Sequence, residues 1–173
     1  GDPNGKYWVP AMADAPLRGY NGRHEWFWEP GDEDAVYPLE KLVDMYYNSV
    51  GRNATLILGL TPDPSGLIPE GDVQRLKEFG DKITELMTHP IKSISGTGNK
   101  IELKLDKAQP VNQIILQEEI IKGERVRDYH VEGLTSRGWE ILCQGESIGH
   151  KRIQTFSPVI VGKIRLVINK QID

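Results

Sequence analysis

Apolar residues in the first half of the chain recur at the three- and four-residue spacing of amphipathic helices. One helix is predicted to begin at Pro38, which suits a first helical position, and to end before Gly51, which tolerates a left-handed conformation. Its apolar positions are Leu39, Leu42, Val43, Tyr46, Tyr47 and Val50. A second helix is predicted to start with Asp72 as its N-cap. Its apolar positions are Val73, Leu76, Phe79, Ile83, Leu86 and Met87.

Between these helices lies a continuous apolar run, ATLILGL at residues 54–60. Such a run is typical of a strand that is buried on both faces, and those strands usually belong to parallel sheets. The order helix, buried strand, helix therefore predicts part of a parallel α/β fold. Upstream, WVPAM is a candidate strand, and the stretch around HEWFWEPGDED is predicted to be a long loop of a kind that often carries function.

After residue 90 the pattern changes to short segments in which apolar and polar residues alternate. Ile101, Leu103 and Leu105 alternate with lysine and glutamate in this way. The further strand candidates are VNQIILQE, DYHVEGL, WEILC, SPVIVG and KIRLVIN. Closely spaced strands separated by turn glycines indicate an antiparallel sandwich. The chain is therefore predicted to contain two regions, residues 1–90 and residues 91–173.

Charge and composition argue against several classes of protein. The chain has 21 Lys and Arg against 25 Asp and Glu, and the resulting net charge of −4 argues against a nucleic-acid partner. No stretch reaches the roughly 18 apolar residues of a membrane span, and GDPNGKYW at the start has no apolar signal region, so we expect a soluble chain without a membrane partner. Cys143 is the only cysteine, which rules out an intrachain disulfide.

The histidines do not predict a metal site. HEWFW invites comparison with the zinc-protease motif HExxH, but Trp28 occupies the position of the second ligand. His89, His130 and His150 are scattered singly, as surface or hydrogen-bonding histidines usually are. We therefore expect no metal ion and no other cofactor.

The aromatic residues of the predicted loop lie among charged side chains, a composition typical of a sugar-binding pocket. Aromatic faces cover the apolar side of a pyranose, and charged groups form directed hydrogen bonds to its hydroxyls. The residues are Arg18, Arg23, His24, Glu25, Trp26, Phe27, Trp28 and Glu29. Glu25 could act as a general acid, because packing against a neighbouring tryptophan would raise its pKa by desolvation. The alternative is that the tryptophans pack the loop onto the core and the acids are solvated.

Residues 46–80, YYNSVGRNATLILGLTPDPSGLIPEGDVQRLKEFG, resemble a signature of the α-L-fucosidases of glycoside hydrolase family 29. In that family the corresponding segment contains the last strand of the catalytic barrel. WVPA at 8–11 and WFW at 26–28 are similar to the stretch that contributes to the fucose pocket. LQEEIIKGERVRDYHVEG, Trp139 and GESIGHKRIQTF resemble the β-sandwich that follows the barrel. The resemblance covers nearly the whole chain.

The resemblance implies an α+β fold class, with a partial (β/α) barrel segment followed by an antiparallel galactose-binding-like β-sandwich. Residues 1–90 would be the C-terminal part of a glycosidase (β/α)8 catalytic barrel, and residues 91–173 an accessory domain. A complete barrel takes roughly 250 residues, so we expect this chain to be a fragment. The family's nucleophile is an aspartate on an earlier strand, upstream of this chain, and the isolated chain is therefore expected to be inactive.

The activity implied for the intact parent is hydrolysis of α-L-fucosides of glycans with retention, through a covalent glycosyl intermediate. Many relatives have a glutamate as acid/base where this chain has Met12, and a thioether cannot transfer a proton. The acid/base role is therefore assigned to Glu25, with Glu29 as an alternative; a parent that is not a conventional fucosidase is the other explanation. A second departure is Gly59, where relatives commonly have asparagine.

The resemblance also implies the binding residues and the partners. The assigned roles are a sugar-stacking wall of Trp26 and Trp28, and contacts to sugar hydroxyls by Arg18 and His24. The expected ligand is a fucosylated glycan or a related sugar, and the expected location of the parent is periplasmic or extracellular. Because a partial barrel leaves strand edges and apolar faces open, we also expect a homodimer formed through these exposed barrel edges.

A noncatalytic carbohydrate-binding or interaction module, based on the sandwich, is the alternative function. Sandwiches of this type often present loops to glycans or dock against a catalytic domain. Trp139 is the only tryptophan of this region, and its position within WEILC predicts a core residue rather than a platform for a ligand.

Overall fold

The structure, a computed structural model, describes residues 11–21, 26–31 and 35–172. Its elements, in chain order, are β1 (Ala11–Pro16), α1 (Leu39–Asn48), β2 (Ala54–Gly59), α2 (Glu70–Thr88), β3 (Lys100–Leu116), a 3-10 turn (Ile120–Lys122), β4 (Val126–Thr135), β5 (Gly138–Gly145) and β6 (Arg152–Gln171). The chain divides into two compact units. The helical unit consists of Pro10–Val50 and Ala54–His89. Gly51–Asn53 belong to the sheet unit, together with the chain from Pro90 onwards.

β1 and β2 form a two-stranded parallel sheet in the helical unit. Their register runs from Ala11 opposite Ala54 to Pro16 opposite Gly59, so both strands end at the same edge. The Leu17 N–H continues the pairing by donating to the Gly59 carbonyl oxygen at 2.9 Å. The parallel pairing predicted from the apolar run is confirmed.

β2 is covered on one face only. Leu56 and Leu58 are half-buried, whereas Thr55 and Ile57 are exposed. The prediction that ATLILGL is buried on both faces is therefore wrong for this chain, because the described residues supply no element that covers Thr55 and Ile57.

Both predicted helices are present, but their first residues differ from the prediction. α1 begins at Leu39, and Pro38 precedes it in an extended conformation instead of occupying its first turn. α2 begins at Glu70 after Pro69, so Asp72 lies within the first turn and is not the N-cap. The prediction of Asp72 as N-cap is wrong, because Pro69 starts the helix three residues earlier in the chain. Neither helix in the described part of the chain is long and apolar enough to cross a membrane.

Four antiparallel strands form the sheet unit, in the order β3-β6-β4-β5. The predicted α+β class with an antiparallel sheet is confirmed. Two pairs of predicted strands are single long strands, since β3 spans both KIELKLD and VNQIIL, and β6 spans both SPVIVG and KIRLVIN. The pairing of β3 with β6 shifts register between Lys104 and Gln109, where the strand sequence alone suggested a break.

The core of the sheet unit consists of two buried clusters that have partly buried neighbours in common. One cluster contains the buried Val126, Tyr129, Val131 and Ile148, and the other contains the buried Leu105, Val111 and Val161. Ile114 and Ile164 pack against both clusters. Because β3 and β6 each run past both clusters, the long strands join them into one apolar layer.

Candidate functional site

The candidate site lies where β1 and β2 end together. Trp26 packs against this edge: a Cβ built on Gly59 would lie 3.0 Å from Trp26 Cζ3 and 3.5 Å from Cε3. The indole therefore rests directly on the backbone at the end of β2. Trp26 is still 45% exposed, so part of its surface is open to a ligand. In (β/α) barrels, substrates bind at the carboxyl ends of the parallel strands.

Two further aromatic residues, Phe27 and Trp28, follow Trp26 in the sequence. Trp28 is half-buried, while Phe27 is 83% exposed and Glu29 is also exposed. Trp28 is thus partly packed, as the alternative interpretation of this loop expects, while Trp26 and Phe27 offer aromatic surface; sugar binding by this loop stays a prediction. Aromatic surface of this kind covers the apolar face of a pyranose.

Backbone hydrogen bonds hold the segment that leaves β1. The Tyr37 N–H donates to the Leu17 carbonyl oxygen at 3.0 Å, and the Gly19 N–H donates to the Ala35 carbonyl oxygen at 2.9 Å. Leu17 and Ala35 are buried, so these bonds lie in the interior of the helical unit. Arg18, which lies between the two bonded positions, is thereby fixed in space.

Arg18 forms a buried, bidentate ion pair with Asp72 of α2. Its Nε donates to Asp72 Oδ2 at 3.0 Å, and its Nη2 donates to Asp72 Oδ1 at 2.6 Å. Arg18 is 3% exposed and Asp72 is fully buried. The sequence analysis missed the role of Asp72, because an acid near a helix start is normally a cap or a favourable charge for the helix dipole. The predicted contact of Arg18 with a sugar hydroxyl stays a prediction.

Several predicted site residues are not among those that the structure describes. Glu25, the assigned acid/base, and His24 lie outside the described residues, as does Trp8 of the WVPA stretch. Their roles stay predictions. Met12 is described and is 71% exposed in β1, where it lies opposite Thr55.

No metal centre is evident in residues 11–21, 26–31 and 35–172. These ranges contain no group of three or more His, Cys, Asp or Glu side chains that could hold an ion. The thiol of Cys143 is half-buried, and burial raises its pKa to about 11. A thiol with a raised pKa is a poor nucleophile and a poor metal ligand at neutral pH.

Comparison with known proteins shows that the chain is similar to part of several fucosidases. It is similar over its full length to a solved structure of a proposed α-L-fucosidase from Bacteroides thetaiotaomicron, with 59% identity, a TM-score of 0.98 and coverage of 40% of that chain. A Ruminococcus gnavus family 29 fucosidase, solved in complex with fucose, matches 98% of the chain at 25% identity and a TM-score of 0.86. It too is covered to 40% of its length.

Curated sequences agree with the solved structures. α-L-Fucosidase 1 of Arabidopsis thaliana is 30% identical over 98% of this chain. The chain spans 40% of the length of that relative. No protein-family model matches the chain.

Proposed function

Because this chain is homologous to the α-L-fucosidases of glycoside hydrolase family 29, we propose that it is the C-terminal part of a retaining exo-glycosidase that hydrolyses α-L-fucosides of glycans. The helical unit then contributes the last part of a (β/α)8 catalytic barrel, and the sheet unit is its galactose-binding-like accessory β-sandwich. The nucleophilic aspartate comes from a part of the protein outside these 173 residues. The isolated chain is accordingly inactive.

One observation carries this proposal: the partly exposed indole of Trp26 rests on the backbone of Gly59 at the shared carboxyl edge of two parallel strands. A flat apolar surface at this edge is suited to the C–H face of a pyranose. Fucose has such a face and carries a methyl group at C5, so stacking on an indole removes apolar surface from water. Trp26 forms the stacking wall, and Trp28 supports it.

Glu25 is the proposed acid/base. It immediately precedes Trp26 in the sequence, so its backbone lies within one residue of the stacking wall. In a retaining mechanism this group protonates the leaving oxygen and then, as a carboxylate, activates the water that hydrolyses the glycosyl intermediate. His24 is the proposed partner of a sugar hydroxyl.

Arg18 acts on this site mainly by positioning the chain that leaves β1. Two of its nitrogens are bonded to Asp72, which ties the residue after Leu17 to the first turn of α2. Because the pair is bidentate and buried, it limits movement of the edge on which Trp26 rests. A direct contact with a sugar hydroxyl is a second, smaller role for Arg18.

The proposal is tested with an aryl α-L-fucoside. The isolated chain should give no turnover, whereas a longer protein that contains this sequence should release the aryl group. In that longer protein, Glu25→Gln should slow turnover, and azide should restore it by forming fucosyl azide, since azide attacks the glycosyl intermediate without a general base. Glu29→Gln is the matched control and should change turnover little. If azide restored turnover in Glu29→Gln but not in Glu25→Gln, Glu29 would be the acid/base instead of Glu25.

Partners and location follow from the same proposal. The ligand is a fucosylated glycan or a related sugar, which implies a periplasmic or extracellular protein. The open face of β2, with Ile57 42% exposed, favours a homodimer of the isolated chain through the β1–β2 sheet. Light scattering after size-exclusion chromatography tests this, and a monomer at all concentrations would contradict it.

A further inference from the structure

The sheet unit carries a groove of about 490 Å³ on the face that is opposite its core. His130 lines it and lies in β4 between the buried Tyr129 and Val131, and alternate residues of a strand point to opposite faces. Strands β4, β5 and β6 all contribute to the lining. A volume of this size accommodates a ligand of one or two sugar rings.

Three polar side chains of the groove have no partner among the residues that the structure describes. Gln144 at the end of β5, Glu146 just after it, and Lys170 in β6 line the groove, and none of their side chains hydrogen-bonds or ion-pairs with a described residue. They offer an amide, a carboxylate and an ammonium group. Together these groups can both accept hydrogen bonds from hydroxyls and donate to them.

Next to the groove on the same sheet face, the side chain of Arg165 contacts those of Trp139 and Glu132. Arg165 of β6 lies over the ring of Trp139 at 4.0 Å and donates from Nε to Glu132 Oε2 at 2.6 Å. The indole is thus covered by a cation that is itself held by a carboxylate. The covered face of Trp139 is therefore no platform for a ligand, and Gln144, Glu146 and Lys170 lie farther along the sheet face, in the groove.

Ile141 supplies an apolar surface within this polar lining. It is 60% exposed and lies in β5 opposite Glu132. A sugar ring combines hydroxyl groups with an apolar C–H face, so it matches an exposed aliphatic side chain surrounded by donors and acceptors. An ion would gain nothing from Ile141.

The charges of the groove favour a neutral ligand. Arg127 and Lys170 are matched by Asp128 and Glu146, so the lining has no excess of either charge among these four side chains. Asp128 is also engaged by Asn169, whose Nδ2 donates to its Oδ1 at 3.2 Å. A phosphate, a sulfated sugar or a nucleic acid would be attracted by a basic lining, which this groove lacks.

We propose that this groove of the sheet unit is a binding site for a neutral saccharide, held by Gln144, Glu146 and Lys170 over the side chain of Ile141. The site does not require the proposed hydrolysis, because all of its lining belongs to the sheet unit. It would hold the chain on a glycan whether or not a fucoside is cleaved.

The test is an NMR titration of the full ¹⁵N-labelled chain with L-fucose, D-galactose and lactose, each added separately. At least one sugar should shift the backbone amides of Ile141, Gln144 and Gly145 in a saturable manner, with a Kd of about 1–10 mM, as expected for a shallow site. The double variant Gln144→Ala/Glu146→Ala should lose these shifts. Lys104→Ala, on β3 and outside the groove, should retain them, and unchanged amide shifts elsewhere would show that both variants are folded.

The outcomes separate this proposal from the proposed function. If the sugar changes the chemical shift of the Trp26 indole but of no amide at the groove, the groove proposal is wrong and the proposed fucose site is retained. Absence of saturable shifts at Ile141, Gln144 and Gly145 with all three sugars, or equal shifts in the double variant, would also overturn it. Sodium sulfate is a further probe, and saturable binding of sulfate in place of sugar would contradict a neutral ligand.

Discussion

Arg18 and Asp72, 54 positions apart in the sequence, bury a charged pair almost completely, with side-chain exposures of 3% and 0%. A buried charge without its partner costs several kcal/mol, whereas an intact bidentate pair satisfies both groups. This pair joins the end of β1 to the start of α2. It thereby connects α2 with the strand edge on which Trp26 rests.

Removal of one partner of this pair should destabilise the protein strongly. Asp72→Ala leaves the Arg18 guanidinium buried and uncompensated, and we expect a loss of about 3–5 kcal/mol in the free energy of unfolding. Asp81→Ala is the matched control in the same helix, because Asp81 is 70% exposed and its ion-pair partner among the described residues is Lys77. It should cost less than about 1 kcal/mol. Urea denaturation compares the two, and equal losses would contradict the buried-pair argument.

A side chain at Gly59 should displace Trp26. In Gly59→Ala the new Cβ would lie 3.0 Å from Trp26 Cζ3, so the indole must shift by a few tenths of an ångström at the end of β2. We expect a shifted indole N–H resonance for Trp26, and lower affinity for fucose in a longer protein that binds it. Gly80→Ala is the control, since nothing lies within 4 Å of its Cβ. An unshifted Trp26 resonance in Gly59→Ala would show that the ring is not held by this contact.

Asn53 links two loops of the sheet unit, and its loss should be costly. Its Nδ2 donates to Glu124 Oε2 at 2.8 Å, and its Oδ1 accepts from the His150 N–H at 2.7 Å. Asn53 also adopts a left-handed conformation, with φ of 68°, which asparagine tolerates better than alanine. Asn53→Ala should therefore lower the free energy of unfolding by about 2 kcal/mol. A lower melting temperature would report this loss. Asn48→Ala, which removes one exposed hydrogen bond, should have little effect.

Gly149 should tolerate no side chain next to Asn53. Its φ is 63°, and an added Cβ would lie 2.3 Å from Asn53 Nδ2 and 2.8 Å from Glu124 Oε2. Gly149→Ala should therefore destabilise the protein through both strain and collision. Gly138→Ala separates the two causes, because Gly138 has a φ of 113° but nothing within 4 Å of its Cβ. Gly149→Ala should have a lower melting temperature than Gly138→Ala. A lower melting temperature for Gly138→Ala would contradict the close contact at Gly149.

Cys143 should react slowly in the folded protein. Burial raises its pKa from 9.0 to about 11, a change that lowers the thiolate fraction at pH 8 about a hundredfold. Alkylation by iodoacetamide should accordingly be much slower in buffer than in urea. Equal rates in the two solvents would show that the thiol is not held in a buried environment.

The same thiol should make the free energy of unfolding depend on pH in the alkaline range. Between the unfolded pKa of 9.0 and the folded pKa of about 11, the unfolded chain has lost a proton that the folded chain retains. Stability therefore falls as the pH rises through this window. Cys143→Ala should make the melting temperature less sensitive to pH between these values, and an unchanged slope would contradict the assignment.

Much of the fold was predictable from local patterns. Helical spacing identified α1 and α2, the apolar run identified β2 as a strand of a parallel pair, and alternation identified the antiparallel sheet. The element ends were less predictable, since Pro38 and Pro69 precede their helices and β3 continues through a register shift. A bulge interrupts the alternation of a strand without ending it, so the sequence pattern alone splits β3 in two.

The candidate site was predictable in composition but not in arrangement. The sequence determined that aromatic and charged residues are concentrated near Trp26, and the resemblance to fucosidases assigned them to a sugar. Only the tertiary structure decided that Trp26 rests on Gly59 and that Asp72 is the partner of Arg18. Periodicity reports which residues of one element share a face, whereas contacts between residues 33 or 54 positions apart depend on how the elements pack. The same limit explains the groove, whose lining comes from three strands that meet only in the folded sheet.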